Sequence, residues 1–180
     1  MPWSVVGNSL GGTLAVRAAQ SGRFKPAAIA TLGAPAQAHP SWKAVLRELE
    51  SLPALWRYRP YVRSWRETLP AYGAFRRHDF PVRTPGRSYL DEVVAALDIL
   101  PFPRPPICPV RLIQGDRDAV ALPRQSQAWA EGLARMGGHV EFVLLPGIGH
   151  LDVAVHPAAI ASALDFVEAA VMAHPTETVP

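Results

Sequence analysis

A serine flanked by glycines lies near the start of the chain, in the segment G-N-S-L-G at residues 7–11. An apolar run precedes the segment and a helical pattern over residues 13–20 follows it. Glycines around a serine suit a tight strand-to-helix turn, in which side chains at Gly7 or Gly11 would collide with neighbouring elements. Such a turn projects the hydroxyl above a sheet, so Ser9 is the candidate nucleophile. The alternative is a glycine-rich turn with a solvated serine.

The backbone N–H of Leu10 is the first donor after this serine, at the predicted start of the helix. Helix N-termini carry a partial positive charge and N–H groups without an intrahelical acceptor. We therefore expect the Leu10 N–H to point at the place where an oxyanion would form after attack by Ser9.

A serine hydroxyl is a weak nucleophile until a base removes its proton. Of the six histidines, His150 is the one that follows the carboxyl end of a predicted strand, Val140–Leu145. Ligands of parallel sheets bind at that edge. The turn G-I-G at 147–149 would let the imidazole reach toward Ser9. His150 is the candidate base, and a partly buried structural histidine is the alternative.

A carboxylate that orients the base is expected in the loop after another strand. The segment G-D-R-D at 115–118 follows the predicted strand Val110–Gln114. Asp118 lies further into this loop and is the candidate partner of His150. Asp116 is predicted to cap the turn through its own backbone.

The elements that must position these side chains alternate between strand and helix patterns along the chain. This alternation predicts an α/β fold with a mostly parallel sheet of about four strands and flanking helices. Residues 1–38 and 107–180 are predicted to form that core. Residues 39–106 hold all four tyrosines and three of the five tryptophans, and prolines interrupt their short helical patterns. We interpret them as a helical cap or lid insertion.

Three segments together resemble the α/β-hydrolase superfamily, in the group of lipases, esterases and related cap-bearing hydrolases. They are G-N-S-L-G-G at 7–12, P-V-R-L-I-Q-G-D-R-D at 109–118 and P-G-I-G-H at 146–150. Ser9, Asp118 and His150 occur in the Ser…Asp…His order of that superfamily. In some members the acid lies after the next strand, the one that follows the helix behind the nucleophilic serine. Here that place reads L-G-A-P at 32–35, without an acid, which favours Asp118.

The chain also departs from the family pattern. Family members have about four strands and an oxyanion loop before the elbow strand, which is the strand that leads into the nucleophilic serine. This chain begins at the elbow strand, so we expect a partial fold that lacks the N-terminal half. Leu10 N–H would then act without a second oxyanion donor, a loss of about 100- to 1,000-fold in rate. The elbow strand would be an unpaired apolar edge. Four explanations are compatible with the absent half: a fragment, a mis-called start codon, a degenerate gene product, or a partner that supplies it.

The resemblance implies a serine hydrolase that cleaves a carboxylic ester-like bond of a small molecule through an acyl-enzyme intermediate. No cofactor and no metal are implied. An acyltransferase, thioesterase or lyase would use the same three residues. A non-catalytic remnant that keeps them by descent is the alternative from a different functional class.

Charge, cysteine content and hydropathy limit the remaining functional classes. The formal net charge is +3, but the basic residues are scattered arginines without a nucleic-acid-binding signature, so no nucleic-acid partner is predicted. Cys108 is the only cysteine, which excludes an intrachain disulfide. Its place between Pro106 and Pro109, just before a predicted strand, indicates a small buried apolar residue. No segment is long and apolar enough to predict a membrane span. We expect a cytoplasmic protein, and the sequence leaves its oligomeric state open.

Overall fold

A single parallel sheet organises the part of the chain that the computed structural model describes, residues 2–36 and 104–173. Its four strands lie in the order in which they occur along the chain: β1 (Val5–Asn8), β2 (Ile29–Leu32), β3 (Val110–Gly115) and β4 (Val140–Leu145). The described helices are α1 (Leu10–Gln20), α2 (Pro123–Arg135), α3 (His150–Val153) and α4 (Pro157–Ala173). The α/β prediction with a parallel four-stranded sheet is confirmed.

The predicted lid, residues 39–106, lies outside the described residues apart from its last three. Its helical character and the domain division at its ends remain predictions. No described helix combines the length and the apolar composition that crossing a membrane requires.

The strand register brings the carboxyl ends of all four strands to one edge of the sheet. Asn8 pairs with Leu32, Leu32 with Ile113, and Ile113 with Val143. Because all strands run in the same direction, the loops that follow β1, β3 and β4 leave the sheet at that edge. Those loops carry the serine, the aspartates and the histidine singled out from the sequence.

Two apolar layers fix the helices against the sheet. One face packs against α1 and α2, and the other packs against α3 and α4. The central strands β2 and β3 are buried on both faces, with Ile29 and Ile113 fully buried, whereas Val6 on β1 is 42% exposed. The pattern follows from position: within the described part of the chain, β1 pairs only with β2.

Cys108 lies in the apolar layer beneath α1 and α2, as the sequence predicts. Burial disfavours the charged thiolate and raises the pKa of the thiol from 9.0 to about 11.

We expect this thiol to make the folded chain less stable at high pH. Its contribution to the free energy of unfolding is fully present below pH 9.0 and is lost as the pH rises through about 11. The reason is that the thiol of the unfolded chain ionises at a lower pH than that of the folded chain. The difference between the two pKa values corresponds to roughly 3 kcal/mol in the free energy of unfolding. Urea unfolding at pH 8 and pH 11 measures it. The Cys108→Ala variant should lose less stability over this interval, and equal losses would contradict the assignment.

Candidate active site

Ser9 occupies a sharp turn between β1 and α1. It has φ 47° and ψ −128°, and no other described non-glycine residue has a positive φ. Such a conformation costs on the order of 1–3 kcal/mol and persists only where the surroundings impose it. The Ser9 N–H donates to the carbonyl of Leu32 at 2.8 Å, which anchors the turn to the neighbouring strand.

Two glycines allow α1 to approach β1 closely enough to form this turn. A Cβ on Gly7 would lie 2.6 Å from the Cα of Gly12, and a Cβ on Gly12 would lie 2.8 Å from the Gly7 carbonyl oxygen. The expectation is therefore confirmed for Gly7 but is wrong for Gly11, where no heavy atom lies within 4 Å of an added Cβ. Gly11 is exposed at the start of α1, and Gly12 is the residue that faces the strand.

Leu10 begins α1, as its predicted role at the helix N-terminus requires. The N–H groups of Gly12 and Thr13 donate to the Ser9 carbonyl at 3.0 and 3.4 Å. The Leu10 N–H precedes both of these donors and, as the first N–H of the helix, has no acceptor within it. It can therefore stabilise negative charge next to the Ser9 hydroxyl.

The hydroxyl of Ser9, the imidazole of His150 and the carboxylate of Asp118 form a hydrogen-bonded chain. Ser9 Oγ lies 3.0 Å from His150 Nε2, and His150 Nδ1 lies 2.8 Å from Asp118 Oδ2. The His150 side chain is 11% exposed and that of Asp118 is 0% exposed. When Nδ1 carries the ring proton it donates to Asp118, which leaves Nε2 as an acceptor for the Ser9 hydroxyl proton. The arrangement can transfer a proton from Ser9 to His150.

Asp118 is held by three donors in addition to His150. The backbone N–H groups of Val120 and Ala121 donate to Oδ1 at 2.9 and 2.7 Å. The side-chain amide of Gln114 donates to Oδ2 at 2.6 Å. These bonds fix the plane of the carboxylate relative to the imidazole. Gln114 was not among the candidate residues, although it ends the predicted strand Val110–Gln114 directly before the aspartate loop.

Asp116 has a different role from the one expected from the sequence. Its Oδ1 accepts from the N–H of Gly147 at 2.6 Å, so it does not cap the turn through its own backbone. The N–H groups of Asp116 and Arg117 donate to the carbonyls of Leu145 and Ile148 at 2.9 and 3.0 Å. Three hydrogen bonds thus join the aspartate loop to the histidine loop. The prediction failed because the partner is 31 positions away in sequence and adjacent only in the folded chain.

The histidine loop also depends on the absence of a side chain at Gly115. A Cβ there would overlap the carbonyl oxygen of Ile148 and lie 2.7 Å from its carbonyl carbon. The loop continues into the short helix α3, which begins at His150 and is anchored by the fully buried Val153. The sequence pattern does not predict this helix, because four residues are too few to establish a helical period.

Gly33, directly after β2, leaves space for the carboxylate–imidazole pair. It has φ +62°, and an added Cβ would lie 3.3 Å from Asp118 Oδ2 and 3.4 Å from His150 Nδ1. The same Cβ would lie 2.9 Å from a methyl carbon of Val153. A side chain here would press on both members of the pair.

Residues 4–163 match the model of the alpha/beta hydrolase family. The chain belongs to that family. No curated protein matches it at a significant level.

Within residues 2–36 and 104–173, no three His, Cys, Asp or Glu side chains are grouped to hold a metal ion.

Solved structures of other proteins share the alpha/beta hydrolase fold with this chain. The esterase of Pyrococcus furiosus is 17% identical, with coverage of 95% of this chain and 55% of that one and a TM-score of 0.55. The monoacylglycerol lipase of Paleococcus ferrophilus is 15% identical, with coverage of 95% and 68% and a TM-score of 0.54. A thermophilic esterase of Thermogutta terrifontis is 20% identical, with coverage of 94% and 66% and a TM-score of 0.51. The chain thus spans between 55% and 68% of these proteins' lengths.

Proposed function

We propose that this alpha/beta hydrolase cleaves a carboxylic ester of a small molecule through an acyl-enzyme intermediate on Ser9. The observation that supports this most directly is the continuous chain of short contacts, 3.0 Å from Ser9 Oγ to His150 Nε2 and 2.8 Å from His150 Nδ1 to Asp118 Oδ2. The strained turn that projects the Ser9 hydroxyl adds to it, because strained backbone of this kind clusters at active sites.

In the first step His150 Nε2 takes the proton of the Ser9 hydroxyl while Oγ forms a bond to the carbonyl carbon. The carbonyl oxygen becomes an oxyanion, and the Leu10 N–H donates to it. Asp118 keeps Nδ1–H oriented and stabilises the imidazolium. The tetrahedral intermediate collapses as the ester's C–O bond breaks, and the leaving alcohol takes its proton from His150.

In the second step a water molecule gives a proton to His150 and attacks the acyl carbon. The bond to Ser9 Oγ breaks, Oγ recovers its proton from His150, and the acid leaves. Every proton in the proposed cycle thus moves through the imidazole of His150.

The type of substrate is supported by resemblance of fold, since two of the similar structures are named as esterases and one as a monoacylglycerol lipase. An acyltransferase or a thioesterase would form the same acyl-enzyme. Addition of an alcohol or a thiol acceptor identifies a transferase, because a transferase yields the new ester or thioester in place of the acid. Comparison of an ester with the matching thioester as substrate identifies a thioesterase.

We expect a fluorophosphonate to label Ser9 in the purified 180-residue chain. Ser9 Oγ would bond to phosphorus, fluoride would leave, and His150 would take the hydroxyl proton. Peptide mass spectrometry locates the adduct. The same chain in urea is the control, since unfolding separates Ser9 from His150 and should suppress labelling. A folded chain without an adduct on Ser9 would contradict the proposal and favour a non-catalytic remnant.

A further inference from the structure

Gln114 is a buried polar residue of β3 that contacts the carboxylate of the proposed catalytic group. It belongs to β3, it is 1% exposed, and its amide nitrogen contacts the carboxylate of Asp118. We propose that Gln114 is a positioning residue, which holds Asp118 Oδ2 in line with His150 Nδ1. This inference rests on the proposed function, because it assigns Gln114 a part in the same reaction.

Both N–H groups of the Gln114 amide have a partner. Nε2 donates to Asp118 Oδ2 at 2.6 Å and to the carbonyl oxygen of Ala121 at 2.9 Å. A carboxylate and a carbonyl both accept hydrogen bonds and cannot donate them. Rotation of the amide by half a turn would place Oε1 against two acceptors, so the surroundings permit one orientation of Gln114.

The three residues form a closed set of hydrogen bonds. Ala121 accepts from Gln114 through its carbonyl and donates to Asp118 Oδ1 through its N–H at 2.7 Å. Gln114 completes the set at Oδ2. Asp118 therefore cannot turn about its Cβ–Cγ bond without breaking bonds at both oxygens.

Oδ2 is the oxygen that Gln114 shares with His150, which lies 2.8 Å from it through Nδ1. A carboxylate oxygen has two lone-pair directions. With the Gln114 amide on one of them, the other is left for His150 Nδ1–H. Loss of the amide would release Oδ2 and let the imidazole lose the orientation in which Nε2 faces Ser9.

A buried glutamine could instead serve folding alone, and Gln20 provides a matched control for that alternative. Gln20 is 2% exposed, and its Nε2 donates to the carbonyl of Arg104 at 2.8 Å. It lies at the far end of α1 from Ser9, about 15 Å away by helical rise. The same replacement at both positions removes a buried amide of the same type, at one position beside Asp118 and at the other remote from it.

The test compares Gln114→Met with Gln20→Met by hydrolysis of p-nitrophenyl acetate. We expect Gln114→Met to lower kcat by about 10- to 100-fold with KM changed by less than about twofold, since it removes a hydrogen bond to a charged group that acts through His150. Gln20→Met should leave kcat unchanged. Thermal unfolding of both variants measures the structural contribution, and Gln114→Leu replaces Gln114→Met if the latter does not fold.

A second readout does not depend on turnover. The proton on His150 Nδ1 gives a downfield NMR resonance when it is held against a carboxylate. We expect that resonance to move upfield or to broaden in Gln114→Met and to stay unchanged in Gln20→Met. An unchanged resonance and an unchanged kcat in Gln114→Met would overturn the inference, as would equal effects at both positions. If the native chain neither hydrolyses esters nor labels at Ser9, the proposed function fails, and the resonance still decides whether Gln114 positions the pair.

Discussion

Replacement of Ser9 by alanine is expected to lower kcat for ester hydrolysis by about 10⁴- to 10⁶-fold. In the proposed mechanism the change removes the atom that bonds to the acyl carbon. The acyl-enzyme route would then be closed, and only the contribution of the oxyanion donor and of substrate binding would remain. KM should change little, because a hydroxyl is a small part of the surface that contacts an ester. Steady-state hydrolysis of p-nitrophenyl acetate measures both constants.

The control for this prediction is the double variant Ser9→Ala, His150→Gln. Residues that act as one unit give losses that do not add, so the double variant should be no slower than Ser9→Ala alone by more than a few-fold. Activity of Ser9→Ala within tenfold of the native chain would rule out the nucleophile assignment. Multiplied losses in the double variant would mean that His150 acts apart from Ser9.

Replacement of Gly115 by alanine is expected to destabilise the fold and to inactivate the site together. The added Cβ would overlap the Ile148 carbonyl oxygen and lie 2.7 Å from its carbonyl carbon, so the loop before His150 must move. Overpacking against backbone costs roughly 3 kcal/mol. A shift of about 1 Å in a catalytic group costs about 100-fold in rate. Urea unfolding and kcat for p-nitrophenyl acetate measure the two effects.

Gly11→Ala is the matched control for the loss of stability. An added Cβ there meets no heavy atom within 4 Å, and Gly11 lies in the first turn of α1. Alanine is the better helix former by about 1 kcal/mol, so this variant should be as stable as the native chain or more stable. If Gly115→Ala unfolds at the same urea concentration as the native chain, the loop adapts to the added Cβ and the prediction is contradicted.

The elements of the fold were predictable from the sequence to the extent that their patterns are local. The bounds of β4 agree with the run of apolar residues that predicts a strand at Val140–Leu145. The prediction for α1 began three residues late, because the pattern of apolar side chains starts only after the glycines at 11 and 12. The candidate residues followed from their places at strand ends, since parallel strands present those ends at one edge.

The contacts that hold the site together could not be predicted in the same way. Asp116 binds Gly147, and Gly12 rather than Gly11 faces β1, because both depend on how closely two elements approach. Periodicity reports which face of an element is apolar and carries no information about that distance. The partner of Gln114 lies only four positions away, but its side-chain direction is set by the fold of the loop after β3.

The mutual contact of Gly7 and Gly12 has a consequence for the way contacts are inferred from related sequences. Correlated substitutions reveal neighbours because a change in one residue can be offset by a change in the other. Here a Cβ on Gly7 meets the backbone of Gly12, a Cβ on Gly12 meets the backbone of Gly7, and neither residue can become smaller. No second substitution can relieve the first. The contact that shapes the turn around Ser9 is therefore expected to give no covariation signal, although neither glycine has room for a Cβ.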